Sequence, residues 1–259
     1  MIETHSLRCG YGSRNVLDGV DLRLQDSEFS VLAGPNGSGK STLLYTLLGY
    51  LRPSSGTISM WGKSLASYKR MELARLIAFV PQECVFQFDY RVREIVLMGR
   101  FPYLGVMQTY GPEDHKVADS VLCRLGLEDF RERWFSQLSG GEKQRVLIAR
   151  ALAQDTKFIF LDESLSQLDI NHQIEIMGLL RSIHTQSGIG VLLISHNLNL
   201  AANYAGRLIF LKDGKVLGSG TPFDLMRPEV LSALFGMRLS TAPHPVSGIP
   251  NLIYPGADA

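Results

Sequence analysis

FSVLAGPNGSGKSTLL, residues 29–44, is the stretch that decides the fold. It opens on a short, mostly apolar run from Phe29 to Ala33, crosses a glycine-rich turn, and continues with Leu43, Leu44, Leu47 and Leu48 at helical spacing. Strand, glycine turn and helix are the setting in which GxxxxGK[ST] is informative. Gly34, Pro35, Asn36, Gly37, Ser38, Gly39, Lys40 and Ser41 satisfy that pattern. Glycines let successive backbone N–H groups turn inward toward phosphate oxygens, and the helix that follows adds its positive end. A nucleoside triphosphate site is therefore expected. In it Lys40 reaches the β- and γ-phosphates, and Ser41, with Thr42 beside it in the first helical turn, offers a hydroxyl to Mg²⁺.

Outward from this stretch, similar short apolar runs recur at Ile77–Val80, Phe158–Leu161, residues 191–194 and residues 208–211. Runs unbroken by polar residues suit strands buried on both faces of a largely parallel sheet. Before residue 29 the pattern instead alternates: Val20, Leu22 and Leu24 point one way, Asp21, Arg23 and Gln25 the other, as in half-buried antiparallel strands. Between Cys84 and Gln137 the strand signal vanishes, and REIVLMGR and HKVADSVLCRLGL read as helices separated by FPYLGVMQTYGP. The expected fold is α/β: a P-loop NTPase core with a mainly parallel sheet, an N-terminal antiparallel β subdomain and a helical insertion. The expected boundaries place the core at 1–83 and 154–238, the helical subdomain at 84–153 and an irregular tail, rich in Pro and Gly, at 239–259.

Composition narrows the function. Twenty-six Lys plus Arg against 25 Asp plus Glu leave a net charge of +1, which gives no sign of a nucleic-acid binder. The three cysteines, Cys9, Cys84 and Cys123, form no CxxC, which fits a reducing compartment and argues against structural zinc. No apolar run approaches the roughly 20 residues of a spanning helix, and MIETHSLRCGYG lacks the regions of a signal peptide. A soluble, cytoplasmic chain is expected.

Two further stretches carry chemistry. FIFLDE, residues 158–163, is an apolar strand that ends in two acids; carboxylates are costly to desolvate, so a cation or a reaction is expected there. Asp162 is the expected Mg²⁺ ligand, and Glu163 the general base or the orienter of the attacking water. LSGGEKQRVLIARAL, residues 138–152, reads as a helix with Ser139 and Glu142 forming a capping box. Yet Gly140 and Gly141 occupy its first turn, where each costs up to about 1 kcal/mol against alanine. They make sense if a phosphate must approach the backbone too closely for a β-carbon. One nucleotide hardly needs two helix N-termini from one chain. The economical reading is a two-fold homodimer in which this helix end meets the γ-phosphate of ATP held by the partner's loop.

In these residues the chain resembles the ATP-binding subunits of ABC transporters over nearly its whole length. Residues 34–41 are similar to the family's Walker A motif, residues 158–163 to its Walker B and residues 138–142 to its signature sequence. The resemblance implies that Gln82 senses Mg²⁺, that His196 contacts the γ-phosphate, that Tyr11 stacks on adenine and that Asp169 crosses to the partner. Two residues depart from the family pattern. Ser164 stands where proline usually follows the Walker B glutamate, leaving the loop less restrained in φ, and Asn197 replaces the acid common after the histidine. VLMGRFPYLG, residues 96–105, resembles the type II importer ATPases for iron–siderophores, haem, cobalamin and related metal chelates. That implies ATP and Mg²⁺ as ligands and a peripheral position on the cytoplasmic face of the membrane. It also implies two transmembrane permease subunits, seated near Phe101, Tyr103 and Leu104, and an indirect periplasmic or extracellular substrate-binding protein. The alternative of a different class is a soluble ABC ATPase of iron–sulfur cluster assembly.

Overall fold

The computed structural model describes residues 1–12, 14–166 and 168–254. The chain begins with β1 (Ile2–Tyr11), β2 (Arg14–Leu24), β3 (Phe29–Ala33), α1 (Lys40–Leu47), β4 (Ser55–Met60) and β5 (Lys63–Ser64). It continues with α2 (Arg70–Ala74), β6 (Ile77–Val80), α3 (Val92–Leu97), α4 (Pro112–Arg124), α5 (Gly140–Ala153), β7 (Phe158–Leu161) and α6 (Ile170–Ser187). The C-terminal part holds β8 (Gly190–Ile194), α7 (Leu198–Tyr204), β9 (Arg207–Lys212), β10 (Lys215–Gly220), α8 (Pro222–Leu225) and α9 (Pro228–Phe235). It closes with β11 (Ser240–Pro243) and β12 (Pro250–Ile253). Two compact units form: Met1–Tyr68 with Met177–Ala259, and Lys69–Ile176.

In the first unit, β3 lies between parallel neighbours β8 and β9, and β10 pairs antiparallel with β9. Every residue of β3 and β8 is buried, which is why neither shows polar alternation. The alternating N-terminal segment forms an antiparallel sheet in the order β2-β1-β4-β5. A register shift between Thr4 and Leu7 interrupts its ladder, and the buried Thr4 hydroxyl bridges the gap. It donates to the Val20 carbonyl (2.8 Å) and accepts from the Leu22 N–H (2.9 Å). In the second unit, β6 and β7 pair in parallel, in register from Ile77 with Phe158 to Val80 with Leu161. Around them lie α2 to α5, with Val92, Ile95, Val96, Leu122, Val146 and Ile148 buried.

One expectation about organisation changes, that of an irregular tail. The helical segment expected at 84–153 lies in the compact unit that runs from Lys69 to Ile176 and includes β6 and β7. Gln154, just past α5, donates to the Ala74 and Ile77 carbonyls, and the Lys157 and Phe158 N–H groups donate to the Leu76 carbonyl. These bonds join the strand pair to the helices. The tail from 239 is not irregular: β11 and β12 form an antiparallel hairpin. Asn199 on α7 seats it as a backbone mimic, accepting from the Leu252 N–H (2.7 Å) and donating to the Leu252 carbonyl (3.0 Å). Side-chain amides and one buried strand residue, Leu252, hold this hairpin, so no hydrophobic period announced it. The last five residues of the expected tail, 255–259, lie outside the described residues.

Candidate functional site

The phosphate-loop residues sit where a buried strand stops. β3 ends at Ala33, and α1 begins at Lys40. Gly39, the residue before α1, has φ +104°, and a β-carbon on it would also meet Leu17 Cδ2 at 2.8 Å. Both facts demand glycine there. The same pair of strands that supplies Leu17 carries half-exposed Tyr11 at the end of β1, so the ring expected to stack on adenine lies on elements that pack on the loop. The loop is pinned from the other side by the β9–β10 turn: the Gly214 N–H donates to Ser38 O (3.1 Å) and the Asp18 N–H to Gly214 O (2.9 Å).

Inside the loop, Lys40 is only 5% exposed, and its Nζ donates to the Gly34 (3.0 Å) and Pro35 (3.1 Å) carbonyls. Ser38 Oγ is buried with no hydrogen-bond partner among the described residues. Buried polar atoms are nearly always satisfied, so an orphaned hydroxyl beside an ammonium and a turn of backbone N–H groups fits an anionic ligand. Gly34, Pro35, Asn36 and Gly37 complete this turn, and Ser41 follows Lys40 in the first turn of α1. His196 follows β8, whose Ile194 pairs with Leu32, and the Ser195 N–H donates to Leu32 O (3.3 Å). The structure thus carries His196, exposed, to the same carboxyl edge of the strands as the loop, the usual ligand edge of parallel sheets. Asn197 acts as the N-cap of α7, its Oδ1 accepting from the Leu200 N–H (3.1 Å). An uncharged residue here retains the capping role of an acid.

The second unit repeats the arrangement at the ends of β6 and β7. Asp162 is 1% exposed, and its N–H donates to Val80 O (3.0 Å). Gln82, exposed, stands just beyond β6 on the same edge. Glu163 adopts φ +43°, a left-handed conformation that costs a residue other than glycine about 1–3 kcal/mol and that collects at functional sites. Its carbonyl accepts from both the Ser166 N–H (3.0 Å) and the Ser166 hydroxyl (2.8 Å). These bonds close the turn that proline would have stiffened, while Ser164 is buried.

Ser139 caps α5 as expected. Its Oγ accepts from the Glu142 N–H (3.3 Å), and Glu142 Oε2 accepts from the Ser139 N–H (2.7 Å). The Ser139 N–H holds the Glu142 carboxyl below the usual carboxylate range. A lowered pKa means that the stabilisation is present above the ordinary glutamate value and is lost as pH falls through the folded-state value. Glu142→Ala is expected to cost about 1 kcal/mol in urea unfolding at neutral pH. The difference from wild type should shrink in acid.

The two signature glycines have different reasons. Gly140 is exposed, and a β-carbon there would make only an ordinary contact at 3.4 Å, with Leu168 Cδ2. Gly141 is buried, and a β-carbon would lie 2.2 Å from His172 Cδ2. The chain's own packing therefore gives no reason for glycine at Gly140, whereas Gly141 is crowded by the imidazole of His172. Asp169, exposed, lies three residues before that imidazole and is hydrogen-bonded to it.

Some residues escaped sequence reasoning. Asp89 accepts from both the N–H and the hydroxyl of Ser136, and the hydroxyl holds its carboxyl below the ordinary range. Phe86 packs edge-on against Phe135 at 5.3 Å. The segment after Gln82 is thereby fastened to the one before Ser139. No periodicity links residues so far apart in the chain. Of the expected docking residues only Phe101 is well exposed, at 60%. Tyr103 is held by its own chain, its hydroxyl donating to Gln154 O (3.1 Å) and its ring lying under Arg100 at 4.0 Å. Leu104 is half-buried.

The family model for ABC transporters matches residues 17–166, more than half of the chain. The chain belongs to the ABC transporter family, and within that family it is an ATPase subunit. It is 38% identical to the hemin import ATP-binding protein HmuV of Gloeobacter violaceus, over 98% of this chain and 94% of that one. Against the ferric enterobactin transport ATP-binding protein FepC of Escherichia coli the identity is 33%, over 98% and 93%. Among solved structures, an inward-facing conformation assigned to a metal-chelate type ABC transporter superposes with a TM-score of 0.86. Its identity is 30%, and the match covers 99% of this chain and 98% of that one.

Proposed function

We propose that this subunit hydrolyses ATP to drive a membrane importer of metal chelates, of the class that includes haem, ferric siderophores and cobalamin. It works as a homodimer that closes on two ATP molecules and opens after hydrolysis. The observation that carries the dimer is Gly140, exposed at the capped start of α5 although the chain has a separate phosphate loop of its own. Ser139, Gly140 and Glu142 at this helix end meet the γ-phosphate bound by the partner, and Asp169 crosses with them. Tyr11 stacks on the adenine, and residues 34–42 hold the phosphates.

Hard oxygen donors at Ser41, Gln82 and Asp162, one of them a carboxylate, would suit Mg²⁺, which prefers oxygen ligands and takes phosphates and waters beside them. When bound, Mg²⁺ neutralises charge on the β- and γ-oxygens. Glu163 accepts the proton of the attacking water or orients it, Lys40 draws charge off the γ-phosphate, and His196 hydrogen-bonds that phosphate. Phosphoryl transfer leaves little covalent work for protein, so these positions account for the rate.

The relatives' names support the cargo class. They do not favour iron–sulfur cluster assembly. Among the described residues no helix is long and apolar enough to cross a membrane, so two permease subunits provide the span and seat the protein on the cytoplasmic face. A substrate-binding protein delivers cargo on the other side, and nucleic acid has no role. Detergent extraction of the tagged chain should bring down multi-span subunits, and vesicles containing that complex should accumulate haem or a ferric siderophore only with ATP inside. Association with soluble assembly factors alone would overturn the importer. Phe101→Glu, which places a charge on the exposed aromatic, should lower permease recovery at least tenfold in the same pull-down.

A further inference from the structure

The signature turn and the Asp169 loop belong to the same unit, and they are joined by one side chain. The His172 imidazole presents its Cδ2 edge to Gly141, where a β-carbon would sit 2.2 Å from Cδ2 and 2.9 Å from Cγ. Its Nδ1 lies 2.8 Å from Asp169 Oδ1, and the same oxygen accepts the His172 N–H at 2.9 Å. An ionised carboxylate only accepts, so Nδ1 carries the proton in this bond. These bonds from His172, the backbone one foremost, hold the Asp169 carboxyl below the ordinary range.

The surrounding contacts continue the pattern. Gly140 faces Leu168 Cδ2. The Leu168 carbonyl accepts from Gln173 Nε2 (2.9 Å), and the Leu168 N–H donates to Leu165 O (3.2 Å). One turn along both helices, Arg145 Nη2 meets Glu175 Oε2 at 3.4 Å. Space filling alone does not account for the imidazole. Its side chain is 40% exposed, and a smaller residue at 172 with alanine at 141 would fill the same gap while sparing the helix a disfavoured glycine.

We propose that His172 is a positioning residue that wedges the Asp169 loop against the phosphate-facing end of α5. The two groups with which a protomer meets its partner, Ser139 with Gly140 and Asp169, then respond as one body. This rests on the dimeric ATPase reading above. When the γ-phosphate engages or leaves the α5 end, the imidazole carries that displacement to Asp169.

A double-substitution cycle in the full-length chain tests it: wild type, Gly141→Ala, His172→Ala and the pair. Gly141→Ala should lower kcat at least tenfold and His172→Ala severalfold. The KM for ATP should stay within about twofold in each, because the phosphate loop is untouched. The pair should turn over no more slowly than His172→Ala alone. In thermal unfolding, Gly141→Ala should lower Tm when the imidazole is present, and should leave it unchanged or raise it in the His172→Ala background, where alanine only relieves the helix of a glycine. Losses in kcat that multiply, or a Tm penalty that persists without the imidazole, overturn the proposal. A kcat unchanged by His172→Ala overturns it equally. Glu163→Gln run alongside separates the two levels. Absence of hydrolysis in wild type, with the melting cycle still coupled, removes the ATPase reading. Hydrolysis abolished by Glu163→Gln with an additive cycle removes only the role of His172.

Discussion

Glu163→Gln is expected to slow ATP turnover by about 10²–10⁴-fold, the span that general-base catalysis contributes. The amide is nearly isosteric with the carboxylate and accepts the same backbone geometry at φ +43°, so the turn held by Ser166 survives. What disappears, on the proposed mechanism, is the group that takes the proton of the attacking water or orients it. Nucleotide binding is untouched, because the phosphate loop lies on other elements. ATP should therefore accumulate uncleaved at the dimer interface, and size-exclusion chromatography with light scattering should show an ATP-dependent dimer that persists where wild type returns to monomer. Turnover of the variant within a factor of ten of wild type would remove Glu163 from the catalytic step.

Lys40→Ala should act at the other end of the cycle. The ammonium is buried, and its two carbonyl partners aim it into the hollow of the loop, preorganised for phosphate. Hydrogen bonds to charged groups contribute about 1.5–3 kcal/mol, so ATP affinity should fall by roughly 10–100-fold. Hydrolysis should fall further, since on the proposed mechanism the same charge also stabilises the γ-phosphoryl group during transfer. Isothermal titration with ATP on the Glu163→Gln background reads the first effect without turnover. An affinity within twofold of the parent would show that Lys40 does not touch the phosphates. The two variants should differ in kind: one traps the closed dimer, the other fails to reach it.

Much of this site was legible in the chain because its logic is local. The runs expected at 191–194 and 208–211 lie inside β8, Gly190–Ile194, and β9, Arg207–Lys212. Burial on both faces leaves no room for polar interruptions, so such strands announce themselves. Ser139 and Glu142 were readable as a cap because a helix turn brings residues three apart into contact. The β11–β12 hairpin was not legible, since Asn199 and Leu252 hold it from opposite ends of a long separation. That the ring of Tyr103, expected near a membrane subunit, lies under Arg100 was not legible either.

Residue type and spacing alone specified a phosphate loop ending in Lys40, a carboxylate pair at a strand end, and a capped helix with a costly start at Gly140 and Gly141. Each depends on groups a few bonds or one turn apart, where backbone geometry leaves little choice. Which face of each motif the chain occupies itself, and which it leaves free, was settled by packing. Gly141 is filled by His172 while Gly140 stays open. The ring of Tyr103 lies under Arg100 while that of Phe101 is bare. Contacts of that sort join side chains that no period or spacing connects, and they exist only once the elements have been brought together.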